Sequence, residues 1–574
     1  MTGAFPNGVL GYQYSAPMYL YPWVEIALGI PADYFVYVFV AFEVALLMVA
    51  MCFLQRTLRP QAGAWVVLLV LVFSTTSWLR DVSLARYGQP VFLGLYYTIA
   101  DAFIISAFAM VLRRRYPLAA VMLSGAFVTH PALGLSGFAV CGAIVFYDRT
   151  KLRLKPALIA LTVFGAFVAL WMFLLRDASM AGGGIPHDMW LGLTQALSWH
   201  WYPVQYGLFG ASYNERFLGF VSLLLLALYY IPTNDTGRRV LVGIAAALFI
   251  SVLGVLVAWL FPMPLLVKLS LHRASDLVVL LALPYIASGL ASDLRSDSRW
   301  MRVLAAGMLF APFIHHRGMP LLLTLPLIYR RCVRNAKRDA WYPRLRAAAW
   351  WVSVSLLVGY SVAYFDQPWG GKDFVRWGGL VALMAVAFFY GYRCQWNDAA
   401  YAKATGAMVC ALCIVWLGYT GLRLQNTHEA QAYKDAQVWA RANTPATSLF
   451  MSDPTIVGWR DYSRRASFGS VYEWLYAGWL YDSQSRTFKE GLARYGELSP
   501  DLRRGLGFPR PLDGYSVLLQ QAFDGYYAAS DARLRELAHK YGITHFVFRK
   551  EYLARRVRLP VVYENAHFII VVPN

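Results

Sequence analysis

The sequence predicts a polytopic α-helical membrane protein with about 13–14 spans, followed by a C-terminal α/β domain. Of its 574 residues, 58% are hydrophobic and only 15% are charged, and the mean hydropathy is +0.45. A soluble domain is typically about one quarter charged. Dense mixed charge begins only after residue 423. This composition excludes a soluble enzyme, a disordered chain and a fibrous repeat.

The predicted spans are apolar runs that can cross a bilayer alone or packed inside a bundle. They cover residues 34–54, 63–78, 91–112, 117–129, 131–147, 156–175, 215–232, 240–261, 274–291, 301–315, 318–329, 346–364, 377–391 and 404–422.

Lysine and arginine alternate between rich and poor connections along these spans. Every second loop between spans belongs to a set that carries 23 of these residues, and the remaining loops together carry 10. Because cytoplasmic loops are enriched in Lys and Arg, the richer set is predicted to be cytoplasmic. The net charge of +20 is therefore a topological signal, and no nucleic-acid partner is expected.

This orientation defines three predicted regions. Residues 1–33 form a loop-like extracytoplasmic segment without a signal peptide, 34–423 the transmembrane domain, and 424–574 an extracytoplasmic domain. The Cys410/Cys413 spacing lies in an apolar run and indicates packing, and no cysteine follows it. The outer loop 176–214 contains an amphipathic stretch, DMWLGLTQALSWHW, expected at the membrane interface.

Two apolar segments are interrupted midway by ionisable residues. Thr129-His130-Pro131 breaks the first, and His315-His316-Arg317-Gly318-Met319-Pro320 breaks the second. Irregular backbone at membrane depth survives where it is buried or lines a wet cavity. The breaks are consistent with a cavity open to the outer side, and equally with two ordinary helical hairpins with polar turns.

The C-terminal region shows alternating helix and strand patterns. HEAQAYKDAQVWARANTP has helical spacing, and SLFM follows as a short strand. DARLRELAHKYGITHFVF predicts a helix, a stop at Gly542 and a strand, and LPVVYENAHFIIVVP predicts a hairpin. Arg460, Arg464 and Arg465 form a basic patch, either a contact for phosphate groups or an ordinary solvated surface.

The chain resembles the GT-C superfamily of membrane glycosyltransferases. The resemblance rests on the THPALGL break at 129–135, on Leu271-His272-Arg273 at the outer edge of a span, and on YKDAQVWARANTP…YGITHFVF…LPVVYENAHFIIV. It implies a polyprenyl-phosphate sugar donor, transfer outside the cytoplasm, and an acidic catalytic residue in the first outer loop. GT-C chains usually begin with a helix in the cytoplasm. Here Met1 is predicted outside, so either that first helix is absent or the chain is a divergent relative.

Sugar transfer from a lipid phosphate needs a carboxylate that deprotonates the acceptor hydroxyl or stabilises the oxocarbenium-like centre. Asp81 is the first choice because it follows Arg80 in the short outer loop RDVSLARYGQP, where a neighbouring cation keeps it ionised. A local ion pair with Arg80 or Arg86 is the alternative. Asp33 and Glu25 match the first-loop position that the resemblance implies.

The leaving phosphate needs cations or a metal. The candidate substrate-binding residues lie on the sparse outer side and are Arg80, His130, His272, Arg273, His315, His316 and Arg317. A snorkelling arginine and a structural histidine are the alternatives for this group. The histidines and acids of the outer loops are too sparse for a metal motif, so no metal ligand is assigned and a divalent metal stays open.

The leading hypothesis is a membrane glycosyltransferase of the bacterial cytoplasmic membrane. It would move a hexosyl or pentosyl group from a polyprenyl-phosphate donor to an envelope glycan, lipid or protein acceptor, with membrane lipids as its surroundings. The alternatives are a transporter or flippase, for which the intramembrane acids Glu43 and Asp101 are the relevant signal, and a non-catalytic component of an envelope polysaccharide system.

Overall fold

The structure of the protein is a computed structural model. It describes residues 15–29, 32–62, 64–75, 82, 84, 96–151, 154–174, 186–198, 201–202, 211–314, 428–480, 485–499, 501–506, 511–553 and 558–573, with single positions between 407 and 418. The chain divides into two compact units. The membrane unit comprises Tyr14–Phe173 and Gly207–Tyr419, and the C-terminal unit comprises Met1–Gln13, Leu174–Tyr206 and Thr420–Asn574.

The described part of the membrane unit is helical. Its helices are α1 (Ala16–Leu28), α2 (Ala32–Leu58), α3 (Ala64–Thr75), α4 (Tyr97–Leu112), α5 (Tyr116–Thr129), α6 (Pro131–Tyr147), α7 (Leu154–Leu174, whose last residue lies in the other unit), α9 (Ala211–Tyr230), α10 (Asp235–Leu260), α11 (Pro264–Lys268), α12 (Ser275–Leu294) and α13 (Arg299–Ile314). Short 3₁₀ turns cover Arg149–Lys151 and Leu271–Ala274.

Four helical stretches among the described residues are long and apolar enough to cross a membrane. They are Tyr37–Leu58, Leu154–Leu174, Asp235–Leu260 and Pro264–Leu294, and shorter apolar helices cover Tyr97–Leu112, Tyr116–Thr129, Pro131–Tyr147 and Gly219–Tyr230. The fold class predicted from the sequence is confirmed. The first ten predicted spans all coincide with helices, whereas the later ones at 318–329, 346–364, 377–391 and 404–422 lie outside the continuously described residues.

Helix α1 is a difference from the sequence analysis, which described residues 1–33 as loop-like. Pro17 occupies its first turn, where the missing N–H costs no hydrogen bond. Gly29 ends it in a left-handed conformation with φ of 61°. Its 13 residues are too few to span a bilayer, which needs about 20. The helix exposes Trp23 and Ile26, each at 79% of its surface.

The centre of the membrane unit is α12, which packs against α2, α3, α4, α9, α10 and α13. Nearly every side chain of α12 is buried, including Leu277, Leu280 and Leu283. Pro284 lies inside this helix. The first interrupted segment forms two helices folded back on each other. Gly134 permits this, because a Cβ there would lie 2.4 Å from the Cα of Phe127.

Several helix ends meet at what we call the basic end of the membrane unit. Arg239 near the start of α10 pairs with Asp148 after α6 at 3.0 Å and donates to the carbonyl of Leu112 at 3.4 Å. Arg113 after α4 donates from Nε to the Thr57 hydroxyl at 3.0 Å. These residues lie in or beside loops of the set that is rich in lysine and arginine. The structure therefore brings described loops of that set to one end of the membrane unit.

The C-terminal unit contains a five-stranded sheet in the order β2-β1-β3-β5-β4. The strands are β1 (Leu449–Met451), β2 (Ala466–Ser467), β3 (His545–Arg549), β4 (Val561–Glu564) and β5 (Phe568–Val571). β1 is parallel to β2 and β3, and β5 is antiparallel to β3 and β4. The helices are α8 (His187–Leu197), α14 (His428–Asn443), α15 (Arg460–Ser463), α16 (Val471–Leu480), α17 (Ser485–Leu498), α18 (Leu502–Leu506), α19 (Pro511–Ala528) and α20 (Asp531–Tyr541), with a 3₁₀ turn at Lys550–Tyr552.

Helix α8 comes from the loop between two spans, yet it packs against α16, α18 and α19 of the C-terminal unit. Trp190, Leu193 and Leu197 on its apolar face are 7% exposed or less. The sequence analysis expected this stretch at the membrane interface. Its amphipathic pattern is satisfied by protein, because the face expected to enter lipid is buried by helices that follow much later in the chain.

Candidate active site

Arg273 lies on the 3₁₀ turn Leu271–Ala274 that leads into α12. The turn follows Ser270, whose φ is 45°, and it approaches α10 closely at Gly254. A Cβ on Gly254 would lie 2.2 Å from the backbone nitrogen of His272, so only glycine allows this approach. The result is that Arg273 and His272 are held in the protein interior, 6% and 9% exposed.

The buried Arg273 guanidinium lies against Tyr97, the first residue of α4. Its Nη1 donates a hydrogen bond to the Tyr97 hydroxyl, and its central carbon is 4.8 Å from the centroid of the Tyr97 ring. Both contacts stabilise a cation away from bulk water. These contacts and the 6% exposure of Arg273 place its guanidinium inside the protein.

His130 reaches the same tyrosine from the break between α5 and α6. Its ring centroid is 4.6 Å from that of Tyr97, with 39° between the planes. His130 caps α6, because its Nδ1 accepts the backbone N–H of Leu133 at 3.3 Å. In the neutral imidazole this places the proton on Nε2, which is then a hydrogen-bond donor.

An aromatic cluster adjoins this group through Tyr96, the neighbour of Tyr97 in sequence. The ring of Tyr21 in α1 is 4.2 Å from that of Phe39 and 5.5 Å from that of Tyr96, between centroids. The Ser15 hydroxyl, just before α1, donates to the carbonyl of Thr129 at the α5–α6 break. Helix α1 is therefore tied at Ser15 and at Tyr21 to the elements that carry His130 and Tyr96.

Glu43 lies one helical turn beyond Phe39 on the same face of α2, and its side chain is 0% exposed. Burial, together with the Glu43 carboxylate, raises the pKa of the Tyr21 hydroxyl. Asp101 in α4 is also buried, at 2% exposed. The structure thus contains two acidic side chains inside apolar helices, where such groups are functional candidates.

Three of the predicted site residues have described side chains, and two of them converge. His130 and Arg273 both contact Tyr97, and His272 is buried beside Arg273. Glu25 lies in α1 and Asp33 at the start of α2, with side chains outside the described residues. The remaining predicted residues, also outside them, are Arg80, Asp81, His315, His316 and Arg317.

The sequence analysis missed Tyr97, which connects Arg273 to His130. A signal was present, since Tyr96-Tyr97 places two phenolic hydroxyls inside the third predicted span. The described residues contain no group of three or more His, Cys, Asp or Glu side chains arranged to hold a metal ion.

Several polar groups of the described C-terminal unit form side-chain networks. Asp453, 2% exposed, follows β1 and accepts from Arg549 Nη2 at 2.7 Å and from the Tyr527 hydroxyl at 2.9 Å. In the predicted basic patch, Arg460 pairs with Glu473, and Arg465 donates to the carbonyl of Thr444 at 2.6 Å. These contacts fasten loops to the sheet, and they occupy two of the three arginines in the patch.

Comparison with solved structures gives full-length but distant likenesses. The chain is similar to the crystal structure of ArnT from Cupriavidus metallidurans bound to undecaprenyl phosphate, with a TM-score of 0.45, 15% identity, and coverage of 100% of this chain and 90% of that chain. The apo ArnT structure matches with a TM-score of 0.45, 13% identity and the same coverage.

A third likeness is to the archaeal oligosaccharyltransferase AglB from Archaeoglobus fulgidus, solved with an inhibitory peptide and a dolichol-phosphate. Its TM-score is 0.37 at 11% identity, with 96% of this chain and 63% of that chain covered. No family model and no curated protein matches the sequence. With TM-scores below 0.5, these likenesses carry no residue role, substrate or activity over to this chain.

Proposed function

We propose that the protein is a membrane glycosyltransferase that transfers a sugar from a polyprenyl-phosphate-linked donor to an envelope glycan, lipid or protein. The observation that supports this most directly is the buried Arg273 guanidinium, which contacts Tyr97 where apolar helices end, and His130 contacts the same tyrosine. A lipid phosphate needs this combination: a fixed cation for its anionic head and apolar surroundings for its chain.

In the proposed reaction, the acceptor hydroxyl attacks the anomeric carbon as the bond from that carbon to the phosphate oxygen breaks. A carboxylate takes the hydroxyl proton, and Asp81, Asp33 and Glu25 stay the candidates for this role. Arg273 and His272 bind the phosphate as its leaving-group charge grows. His130 donates from Nε2 to a phosphate or sugar oxygen, and Arg80, His315, His316 and Arg317 are proposed to complete the cationic surroundings.

The test is transfer of a labelled sugar from polyprenyl-phosphate donors by the purified full-length protein. Arg273→Gln removes the charge but keeps hydrogen-bonding capacity. We expect it to lower kcat/KM about 10-fold to 100-fold, the equivalent of one charge-assisted hydrogen bond. Arg299→Gln, an exposed arginine at the start of α13, is the matched control and is expected to keep wild-type activity. Wild-type kcat/KM in Arg273→Gln would refute the assigned phosphate site, and full activity in Asp81→Asn would remove Asp81 as the base.

The proposal includes an extracytoplasmic C-terminal unit in a bacterial cytoplasmic membrane. Because α8 lies between two spans and packs within that unit, residues 187–197 and 428–573 must lie on one side of the membrane. The six native cysteines are first replaced by alanine, so that Glu536→Cys and Arg299→Cys each introduce the single thiol of the protein. We expect a membrane-impermeant maleimide to label Glu536→Cys in intact cells, and Arg299→Cys to stay unlabelled.

A transporter or flippase is the second candidate, because Glu43 and Asp101 are buried acids inside apolar helices. This function predicts movement of a polyprenyl-phosphate sugar between leaflets of vesicles, reduced in Glu43→Gln and Asp101→Asn. If the lipid-linked sugar moves between leaflets but no sugar is transferred from any donor, the transporter function would replace the enzyme proposal. Absence of both activities would favour a non-catalytic component of an envelope polysaccharide system.

A further inference from the structure

A polar cavity of about 890 Å³ lies at the basic end of the membrane unit. Its wall includes Arg59, Tyr230, Ser288, Ser292, Arg295 and Ser296. These residues come from the segment after α2, the end of α9 and the region where α12 ends. The candidate active site lies at the other end of the unit, since Tyr97 begins α4 whereas Arg113 and Leu112, its opposite end, belong to the basic end.

The walls of this cavity are held by close contacts between helices. The Tyr230 hydroxyl at the end of α9 donates to Asp293 Oδ2 in α12 at 2.5 Å. The Tyr230 ring also packs directly over Gly289, where a Cβ would lie 2.2 Å from the ring. The spacing of α9 and α12 is thereby fixed, and the serine-lined face of α12 stays open to the cavity.

On the α2 side, the wall residue Arg59 adjoins buried polar groups of the helix packing. Arg59 places its guanidinium carbon 5.2 Å from the centroid of the Tyr285 ring. The Arg59 Nε and the Tyr285 hydroxyl are both buried, and neither has a hydrogen-bond partner among the described residues. Gln55 lies one turn before Arg59 and is 0% exposed. Its side-chain amide is also buried without a hydrogen-bond partner among the described residues. Of these three residues, Arg59 lines the cavity, and a guanidinium with an unsatisfied N–H at a cavity wall favours a ligand that accepts hydrogen bonds.

The charge and the position of the cavity select the class of ligand. Arg59 and Arg295 contribute two guanidinium groups, and Asp297 contributes one carboxylate. Arg59 directly follows the apolar stretch Tyr37–Leu58, and Arg295 directly follows Pro264–Leu294. Both arginines therefore lie where membrane-crossing helices end, which is the depth of lipid headgroups. Guanidinium groups match phosphate oxygens in geometry as well as in charge.

We propose that this cavity binds the phosphate group of an anionic ligand, and that a phospholipid of the adjacent leaflet supplies it. Arg59 binds the phosphate oxygens, the Ser292 hydroxyl of α12 donates a hydrogen bond to the headgroup, and the acyl chains follow the apolar helix surfaces. Basic pockets between helices at the cytoplasmic surface are suited to anionic headgroups. The site is separate from the proposed glycosyl-transfer site and does not depend on it.

The experiment is native mass spectrometry of the full-length protein, delipidated and titrated with phosphatidylglycerol or phosphatidylcholine. We expect saturable binding of phosphatidylglycerol that is about 10-fold to 100-fold weaker in Arg59→Gln, as the loss of a charge-assisted hydrogen bond predicts. Ser288→Phe should block the site sterically. The exposed Arg299→Gln is the charge-matched control and should bind like the wild type.

A second arm separates the two sources of phosphate. Displacement of bound phosphatidylglycerol by inorganic phosphate would assign the site to a free phosphate ligand, whereas retention assigns it to the lipid. Equal binding of phosphatidylcholine, equal loss in Arg299→Gln, or wild-type binding in both Arg59→Gln and Ser288→Phe would overturn the proposal. Thermal melts of all variants exclude a loss caused by unfolding.

Discussion

Removal of the Trp190 side chain is the sharpest test of the association between α8 and the C-terminal unit. Trp190 is 2% exposed, and its helix packs against α16, α18 and α19. Gly192 on the same helix approaches Leu506, where an added Cβ would lie 3.2 Å from the leucine Cβ. The packing leaves little room for neighbours to collapse into the space of a deleted indole.

Truncation of a buried tryptophan to alanine costs about 3–5 kcal/mol, because both transfer free energy and cavity formation oppose the change. We therefore expect Trp190→Ala to lower the opening free energy of α19 by an amount in that range. Hydrogen exchange followed by mass spectrometry on the full-length protein measures this, since peptides from Pro511–Ala528 report opening of the helix that α8 covers.

Asp188→Ala is the matched control, because Asp188 is exposed in the first turn of the same helix. It should leave exchange in α19 within about 0.5 kcal/mol of the wild type. If Trp190→Ala also leaves α19 unchanged, the packing of α8 on the C-terminal unit is wrong. The inference that both segments share one side of the membrane would then lose its structural support.

Three further predictions concern single side chains. Tyr97→Phe keeps the ring but removes the hydroxyl that accepts a hydrogen bond from Arg273. We expect kcat/KM for sugar transfer to fall about 10-fold, with the thermal midpoint nearly unchanged. An unaltered kcat/KM would argue against a role for this contact. Burial alone would raise the pKa of Glu497, but hydrogen bonds from Lys540, the Tyr541 hydroxyl and Arg533 outweigh it and lower that pKa. Glu497→Gln should therefore destabilise the C-terminal unit by about 1–3 kcal/mol in denaturant melts. A smaller loss would mean that these hydrogen bonds are exchanged for bonds to water at little cost. Burial lowers the pKa of His545 from 6.5 to about 4, so between pH 6.5 and pH 4 the unfolded chain binds more protons than the folded one. Stability present above pH 6.5 should therefore be lost as the pH falls towards 4, by about 1–2 kcal/mol after allowance for partial exposure. Hydrogen exchange in β3 measures this loss, and His545→Gln should abolish it.

The sequence predicted most helix positions because the bilayer imposes a strong and local pattern. Predicted spans at 34–54 and 131–147 correspond to α2 and α6, and the hairpin around Glu564-Asn565 corresponds to β4 and β5. In that hairpin, the Asn565 side chain accepts the N–H of Phe568 at 2.8 Å, which is the local turn chemistry that made it recognisable.

Features that depend on distant segments were not accessible in this way. The two residues of β2 form a strand only through pairing with β1, and the apolar face of α8 gave no indication that protein, rather than lipid, would cover it. His130 and Arg273 were chosen as rare charged or polar groups on the outer side. Their convergence on Tyr97 required the fold, since α4, the α5–α6 break and the turn before α12 are far apart in the chain.

The composite origin of the C-terminal unit has a consequence for biosynthesis. Helix α8 ends at Leu197, and the next helix of the unit among the described residues begins at His428. During synthesis, α8 emerges between two membrane insertions and presents its apolar face with no partner for as long as the intervening spans are being made. The unit can close only after the last span has been inserted and the C-terminal chain has arrived. We expect a folding factor to act on the exposed apolar face of α8 during this interval. We also expect C-terminally truncated chains to be degraded by proteolysis.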